Sequence, residues 1–337
     1  MSIKLLWPHT RWPDDHEIER QAAGSEVDCI FVRNPREVTD EQWAMADALI
    51  STLDPLAAED TDKIENCRIF VTPKVGFDNL DLKKYGALGI PLCHVPDYGT
   101  QDVADHAMVL LLGLLKGINR YDNRLRQDPK DHWQPMDHPL ALRLSVAKIG
   151  IVGLGRIGTA MTLRCKAFGM DVTFYDPYKS NGSDLALGIR RSETLEELFA
   201  ESDIVSLHVP LNKETRDMIN ADLLSHAKPG LVLINAARGE VVDIDALHDA
   251  MKAGKIGGAG LDVLPEEPAN LSKPLISAWH EGQEWIRDRL LITPHSAFYT
   301  PQSLYDMRTK GITVALKYLN TGRLENCVND EFLVNPR

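Results

Sequence analysis

Three polar clusters in the second half of the chain hold the side chains best suited to chemistry. Asn235-Ala236-Ala237-Arg238-Gly239 closes the apolar run LVLIN, Asp262 and Pro265-Glu266-Glu267-Pro268 follow AGLDV, and Thr293-Pro294-His295-Ser296 follows LLIT. An arginine fork matches a carboxylate bidentately and stays charged. A histidine can give a proton to a carbonyl oxygen as hydride reaches its carbon, and recover it in the reverse direction. A glutamate bonded to the far ring nitrogen fixes the tautomer. Arg238, Glu267 and His295 together therefore suit the reduction of a 2-oxo acid. Taken singly, each has another reading: a surface or capping arginine, a solvated loop glutamate, a hydrogen-bonded turn histidine. Their shared position after consecutive strands favours chemistry, because open α/β sheets bind ligands beyond the carboxyl ends of their strands.

A turn suited to a dinucleotide lies upstream. Gly153-Leu154-Gly155-Arg156-Ile157-Gly158 follows the run KIGIV and precedes a helical pattern (Ile157, Met161, Arg164, Phe168) that stops at Gly169. A bare GxGxxG is a weak signal, but here it stands between a strand and a helix, with a second strand next. Gly153 permits the tight turn, Gly155 lets backbone approach a pyrophosphate, and Gly158 lets the helix pack closely. The second strand ends in Asp176, 18 residues after Gly158. A carboxylate there accepts from both ribose hydroxyls and repels a 2′-phosphate, so NAD is expected over NADP. Lys179, three residues on, pulls the other way.

These groups need a scaffold, and short β-branched runs alternating with helical patterns supply one. The first series predicts strands at Ile3–Leu6, Cys29–Val32, Ala48–Ile50, Arg68–Val71 and Pro91–Val95, with a capping box at Thr39–Gln42. The second predicts six strands: Ala147–Val152, Asp171–Tyr175, Ile204–Val209, Leu231–Asn235, Ala259–Val263 and Leu290–Thr293. Near-continuous apolar strands alternating with helices imply parallel sheets covered on both faces. The apolar helix Val103–Leu115 is expected to bridge the two series. Pro301–Asn320 reads as one helix, with Leu304, Met307, Val314, Ala315 and Tyr318 on a face that must pack on something already built.

Composition sets the boundaries of the reading. The 337 residues suit two domains, and a hydrophobic fraction of 44% with 26% charged residues is ordinary for a globular chain. A net charge of −12 supplies no basic footprint for nucleic acid. The longest apolar stretch, Ala107–Leu115, is too short to span a bilayer. The start of the chain carries no signal-peptide pattern, and the five cysteines are scattered without a CxxC, so a reduced cytoplasmic protein is expected. No spacing of His, Cys, Asp or Glu reads as a metal site. His94, His106 and His208 lie in or beside apolar segments, as satisfied structural histidines do.

Taken together, Lys74–Asp81, Pro96–His106, GLGRIG, His208-Val209-Pro210, NAARGEVVD, GLDVLPEEP and TPHSAFYTPQ resemble the NAD-dependent D-isomer-specific 2-hydroxyacid dehydrogenases, in order and over most of the chain. The resemblance implies an α/β chain of two Rossmann-like or flavodoxin-like domains with a cleft between them. One is a discontinuous substrate domain (1–97 plus 300–337), the other an NAD-binding domain (98–299), and the assembly is a homodimer. It further implies that Arg238 holds the carboxylate and carbonyl of a small 2-oxo or 2-hydroxy acid, Glu267 orients, and His295 donates the proton. Gly155, Arg156 and Ile157 would cradle the pyrophosphate and Asp176 the adenosine ribose. Asp262 would hold the carboxamide, and His208, Val209, Pro210, Ala237 and His295 would line the cofactor. The backbone near Val75 and Gly76 would grip the substrate.

Three departures stand out. Lys74 replaces a small residue, as a solvated loop lysine or as a second cationic contact for an acidic substrate. Twenty-eight positions separate Glu267 from His295, a long interval whose loop carries Trp279, His280 and Trp285, as a lid or as packing. Phe298-Tyr299 stands where a subgroup resembling the C-terminal-binding-protein corepressors carries Trp-Tyr, an aromatic wall against a larger substrate or interdomain core. Two other functions share the scaffold: an NADH-sensing binding protein, and a dehydrogenase of formate or phosphite.

Overall fold

The computed structural model describes residues 2–54, 58–134 and 138–334. The chain forms two compact units, Met1–Gly99 with Tyr299–Arg337, and Thr100–Phe298. The first contains a five-stranded parallel sheet of β1 (Ile3–Trp7), β2 (Val27–Phe31), β3 (Ala48–Ile50), β4 (Ile69–Thr72) and β5 (Leu92–His94), in the order β2-β1-β3-β4-β5. That is the flavodoxin-like order. Leu5, Leu6, Leu49, Phe70, Val71 and Leu92 are fully buried, as adjacent residues on strands covered on both faces must be. The capping box forms as spaced: Thr39 Oγ1 accepts from Gln42 N, and Gln42 Oε1 accepts from Thr39 N.

The C-terminal helix Pro301–Thr321 returns to this unit. It packs on β3, β4 and the helix Glu17–Ala23, burying Met307, Ile312, Val314 and Ala315. Periodicity showed the apolar face of that helix; only tertiary structure identifies its partner.

The second unit holds β6 (Lys148–Val152), β7 (Asp171–Tyr175), β8 (Arg190–Arg191), β9 (Ile204–Leu207), β10 (Leu231–Asn235), β11 (Ile256–Leu261) and β12 (Leu290–Ile292). The order β12-β11-β10-β9-β6-β7-β8 is that of a dinucleotide-binding sheet with one strand added at an edge, and it reverses between β6 and β9. Seven strands replace the six expected. The unforeseen β8 is two arginines long and has no apolar pattern; Arg191 instead covers the ring of Phe174, its guanidinium carbon 5.3 Å from the centroid. β11 also begins three residues earlier than expected. Gly257 and Gly258, outside the expected strand, lie at a bulge: a Cβ on Gly257 would lie 2.4 Å from Gly230 O, and one on Gly258 2.9 Å from Arg289 O.

The helix expected to bridge the two series spans Thr100–Lys116 and belongs to the second unit's core, through Ala104, Ala107, Leu110, Leu111 and Leu114. Of the three residues singled out in the long interval after Glu267, Trp285 packs on the core while Trp279 and His280 are exposed. Leu275, Ile276 and Ala278 of the helix Pro274–His280 are buried with Ile286, and Trp285 meets His248 edge-on at 5.5 Å.

Candidate active site

The glycine turn sits where the strand order of the second unit reverses. Gly153 takes φ +89°, and a Cβ there would lie 2.7 Å from His208 O, so both the conformation and the approach of β9's end demand glycine. A Cβ on Gly158 would sit 2.0 Å from Gly153 O, which is why the helix Arg156–Ala167 can lie so close to the turn. Gly155 differs. A Cβ there would meet nothing within 4 Å, and no side chain caps the helix it begins. The first-turn amides thus face open space at the positive end of a helix dipole, the arrangement that receives a pyrophosphate. Arg156 is exposed and Ile157 half-buried at the same end.

Asp176 ends β7 beside this turn. Its Oδ2 accepts from Leu154 N at 2.8 Å and its Oδ1 from Tyr178 N at 3.0 Å. The carboxylate therefore braces the turn, and its remaining lone pairs suit ribose hydroxyls. Arg191 donates to the carbonyls of Asp176 and Lys179, tying down the loop that follows. His208 follows β9, with its Nε2 2.9 Å from Ser206 Oγ, while its Nδ1 is buried with no hydrogen-bond partner among the described residues. Burial lowers its pKa to about 4, so the ring is neutral at pH 7. Val209 is half-buried and Pro210 exposed beside it.

The three polar clusters follow β10, β11 and β12, and local bonds shape each of them. Buried Asn235 accepts from Ala237 N at 3.0 Å and donates to Arg238 O at 2.9 Å, folding the backbone into the turn that presents Arg238. Arg238 in turn donates to Ala237 O at 2.8 Å. Next to it, a Cβ on Gly239 would lie 1.9 Å from Leu264 C, so only glycine lets the Arg238 turn close on the segment leading to Glu267. Glu267 Oε1 accepts from Leu264 N at 3.0 Å, and Oε2 lies 2.7 Å from His295 Nδ1. His295 adopts φ +50°, held by its N–H donating to Asp262 O and Thr293 O. The Phe298 ring stands edge-on to the His295 ring at 6.4 Å between centroids.

Asp262 is 1% exposed and organises the His295 loop. Oδ1 accepts from Thr293 Oγ1 at 2.6 Å and Ser296 N at 2.9 Å, and Oδ2 from Ala297 N at 2.9 Å. His106, on the long first helix of this unit, joins through Nε2, 2.9 Å from Thr293 Oγ1 and 3.4 Å from Asp262 Oδ1. Asn235, Thr293 and His106 bond within these loops, roles the sequence did not assign them: Thr293 was quoted only as part of a cluster, and His106 was read as a satisfied structural histidine, which its bonds match. Asn235 stood inside a quoted cluster. A lone histidine on an apolar helix carries no sign of a partner 187 positions away.

In the first unit, Lys74 Nζ donates to Asn79 Oδ1 at 2.6 Å, within its own loop. Val75 O is bonded by His94 Nδ1 at 2.8 Å, and Lys74 O accepts from Val95 N at 3.3 Å, so β5 fixes the Lys74–Gly76 backbone. Asp14, His16 and Glu19 bring metal-ligating atoms together there, but Arg308 already pairs both carboxylates.

Comparison with known proteins identifies the family of the chain. The model of the D-isomer-specific 2-hydroxyacid dehydrogenase NAD-binding domain matches residues 108–297, more than half of the chain. The chain is 37% identical over 264 residues to the glyoxylate reductase of Korarchaeum cryptofilum, covering 78% of this chain and 76% of that one. It is 34% identical over 286 residues to C-terminal-binding protein 1 of Caenorhabditis elegans, covering 82% of this chain but only 38% of that longer protein. Among solved structures, D-lactate dehydrogenase from Aquifex aeolicus, complexed with NAD and lactic acid, superposes with a TM-score of 0.76 at 32% identity, over 94% of this chain and 95% of that one. With its two parallel-sheet units and its NAD-binding domain, the chain belongs to the D-isomer-specific 2-hydroxyacid dehydrogenase family of oxidoreductases.

Proposed function

We propose that this protein interconverts a small 2-oxo acid and its D-2-hydroxy acid with NAD as the redox partner, and that Arg238, Glu267 and His295 carry the chemistry. The observation behind this reading is the 2.7 Å bond between Glu267 Oε2 and His295 Nδ1. It commits Nδ1 to the carboxylate and leaves Nε2 to give its proton to the substrate carbonyl oxygen. Bound NADH supplies the hydride. Arg238 holds the substrate carboxylate and balances charge on the carbonyl oxygen as it develops. The open amides at Gly155, Arg156 and Ile157 hold the pyrophosphate, Asp176 the adenosine ribose, and Asp262 the carboxamide, with His208, Val209, Pro210 and Ala237 along the cofactor. Asp176 favours NAD over NADP, since its carboxylate repels a 2′-phosphate.

The Lys74–Gly76 backbone supplies a second hold on the substrate, and Phe298 shapes its side-chain pocket. We read the protein as a homodimer, following the resemblance, and its five scattered cysteines without a CxxC fit a reduced, cytoplasmic location. Its net charge of −12 supports no nucleic-acid partner, and no helix among the described residues is long and apolar enough to cross a membrane.

The test is NADH consumption by the purified protein across glyoxylate, pyruvate, hydroxypyruvate, and branched, aromatic and dicarboxylic 2-oxo acids, with NADPH in parallel. Turnover on one class establishes the enzyme and sizes the pocket. A dicarboxylate preference brings Lys74 into substrate binding. The 34% identity to a C-terminal-binding protein supports a second reading, an NADH-responsive binding protein. Silence across the whole panel with NADH binding intact would favour it.

A further inference from the structure

Cys93 and Cys327 are far apart in the chain and face each other in the first unit. Cys93 is the middle residue of β5, and Cys327 lies in the segment after the C-terminal helix, which joins β5 through an antiparallel bridge at this pair. Two backbone bonds frame the bridge: His94 N donates to Asn326 O at 3.1 Å, and Val328 N donates to Leu92 O at 2.9 Å. That pattern makes Cys93 and Cys327 a non-hydrogen-bonded pair, the antiparallel position where Cα atoms are about 4.5 Å apart and side chains closest. A disulfide spans Cα separations of roughly 4.4–6.8 Å, so this pair can be bridged without moving the backbone. Cys327 Sγ donates to Asn329 Oδ1 at 3.3 Å, beside the pair. Fully buried Asn329 holds the register, accepting from Leu92 N at 2.8 Å and donating to Ile90 O at 3.1 Å.

We propose that Cys93 and Cys327 form a reversible disulfide when the protein meets a hydroperoxide, with Cys327 as the attacking sulfur and Cys93 as the resolving one. Exposure assigns the roles: Cys327 is partly exposed and Cys93 fully buried. Acidity assigns them the same way. The adjacent Cys93 sulfur lowers the Cys327 thiol to about 7, whereas adjacent Cys327 and burial push Cys93 far up. The Cys327 thiolate attacks the O–O bond, forming a sulfenic acid and releasing hydroxide, which takes up the proton Cys327 lost on ionising and leaves as water. Cys93 sulfur then attacks the sulfenic sulfur, the S–O bond breaks, and the departing hydroxide takes the Cys93 proton as a second water. Two thiols and one hydrogen peroxide give one disulfide and two waters. The remaining cysteines, Cys29, Cys67 and Cys165, are buried, and burial raises Cys29 to about 11 and Cys165 to about 12, which keeps both as unreactive thiols.

The bond would join β5 to the C-terminal segment and close a loop containing the whole second unit, so it constrains the unfolded chain strongly. The test uses the full-length reduced protein with hydrogen peroxide. Thiol titration in denaturant should fall from five to three, recover with dithiothreitol, and coincide with a Cys93–Cys327 linked peptide by mass spectrometry. The oxidised protein should melt roughly 5 °C or more above the reduced one. Cys327→Ser should retain its four thiols under the same treatment. Cys93→Ala should stop at a sulfenic acid on Cys327 that dimedone captures. Five surviving thiols, a linkage between other cysteines, or Cys327 sulfinic acid with Cys93 still reduced would each overturn the proposal. Should Cys93→Ala fail to fold, the wild-type peptide map and Cys327→Ser still decide, and neither depends on the dehydrogenase reading.

Discussion

Glu267 Oε2 and His295 Nδ1 are 2.7 Å apart, and the other Glu267 oxygen accepts from Leu264 N at 3.0 Å. One carboxylate therefore ties the His295 ring to the segment beside the Arg238 turn. Removing the ring should cost most: His295→Ala is expected to lower turnover by roughly 10²–10⁴-fold while NADH affinity survives. Glu267→Gln keeps an acceptor for Nδ1–H but loses the charge, and its turnover should fall by less than that of His295→Ala. Near-normal turnover in His295→Ala would remove this residue from proton transfer.

Arg238→Lys retains charge and gives up the planar fork. Because the Asn235 bonds to Ala237 N and Arg238 O shape the turn through backbone, the turn itself should survive. The expected result is a fall of about 10²-fold or more in kcat/KM for the 2-oxo acid, with unchanged melting and NADH affinity. A mild effect would argue against bidentate carboxylate binding.

Asp176 braces Leu154 N and carries the charge that disfavours a 2′-phosphate, and two substitutions separate these jobs. Asp176→Asn keeps an acceptor for the amide and should raise the NADPH-to-NADH ratio of kcat/KM with little change in melting. Asp176→Ala should raise the ratio and also lower the melting temperature. Unchanged discrimination in both would place cofactor choice elsewhere.

The half-buried His208 ring, its Nδ1 enclosed, gives an acid-stability prediction. Its folded pKa, lowered to about 4, lies below the usual 6.5, so the unfolded chain takes up a proton that the folded chain refuses. Stability is therefore fully present above about pH 6.5 and declines as pH falls toward 4, by an order of 1–3 kcal/mol. Chemical denaturation at pH 7.5 and pH 5 should show a smaller acid loss in His208→Gln than in wild type. Equal losses would mean that other groups set the acid limb.

Thr293 Oγ1 stands between His106 and Asp262, and Thr293→Val deletes that hydroxyl at nearly constant volume. Turnover should fall about tenfold through misplacement of His295, with the KM for NADH little changed. His295 chemistry unaffected by this change would confine Thr293 to packing.

Strand positions in both units were legible as β-branched runs, because strands buried on both faces must be nearly all apolar. Their ends moved by no more than two residues, except at β11, whose glycines carry a bulge instead of ending the strand. The two-arginine β8 was invisible, since edge pairing to β7 rests on backbone bonds. The glycine turn and the three polar clusters were also legible, as each depends on residue types a few positions apart. The destination of the C-terminal helix and the long-range bonds at the His295 loop were not. An apolar face or a polar hydrogen tells which kind of partner it requires, and only the folded chain supplies a particular one: β3 and β4 for the helix, His106 and Asp262 for Thr293.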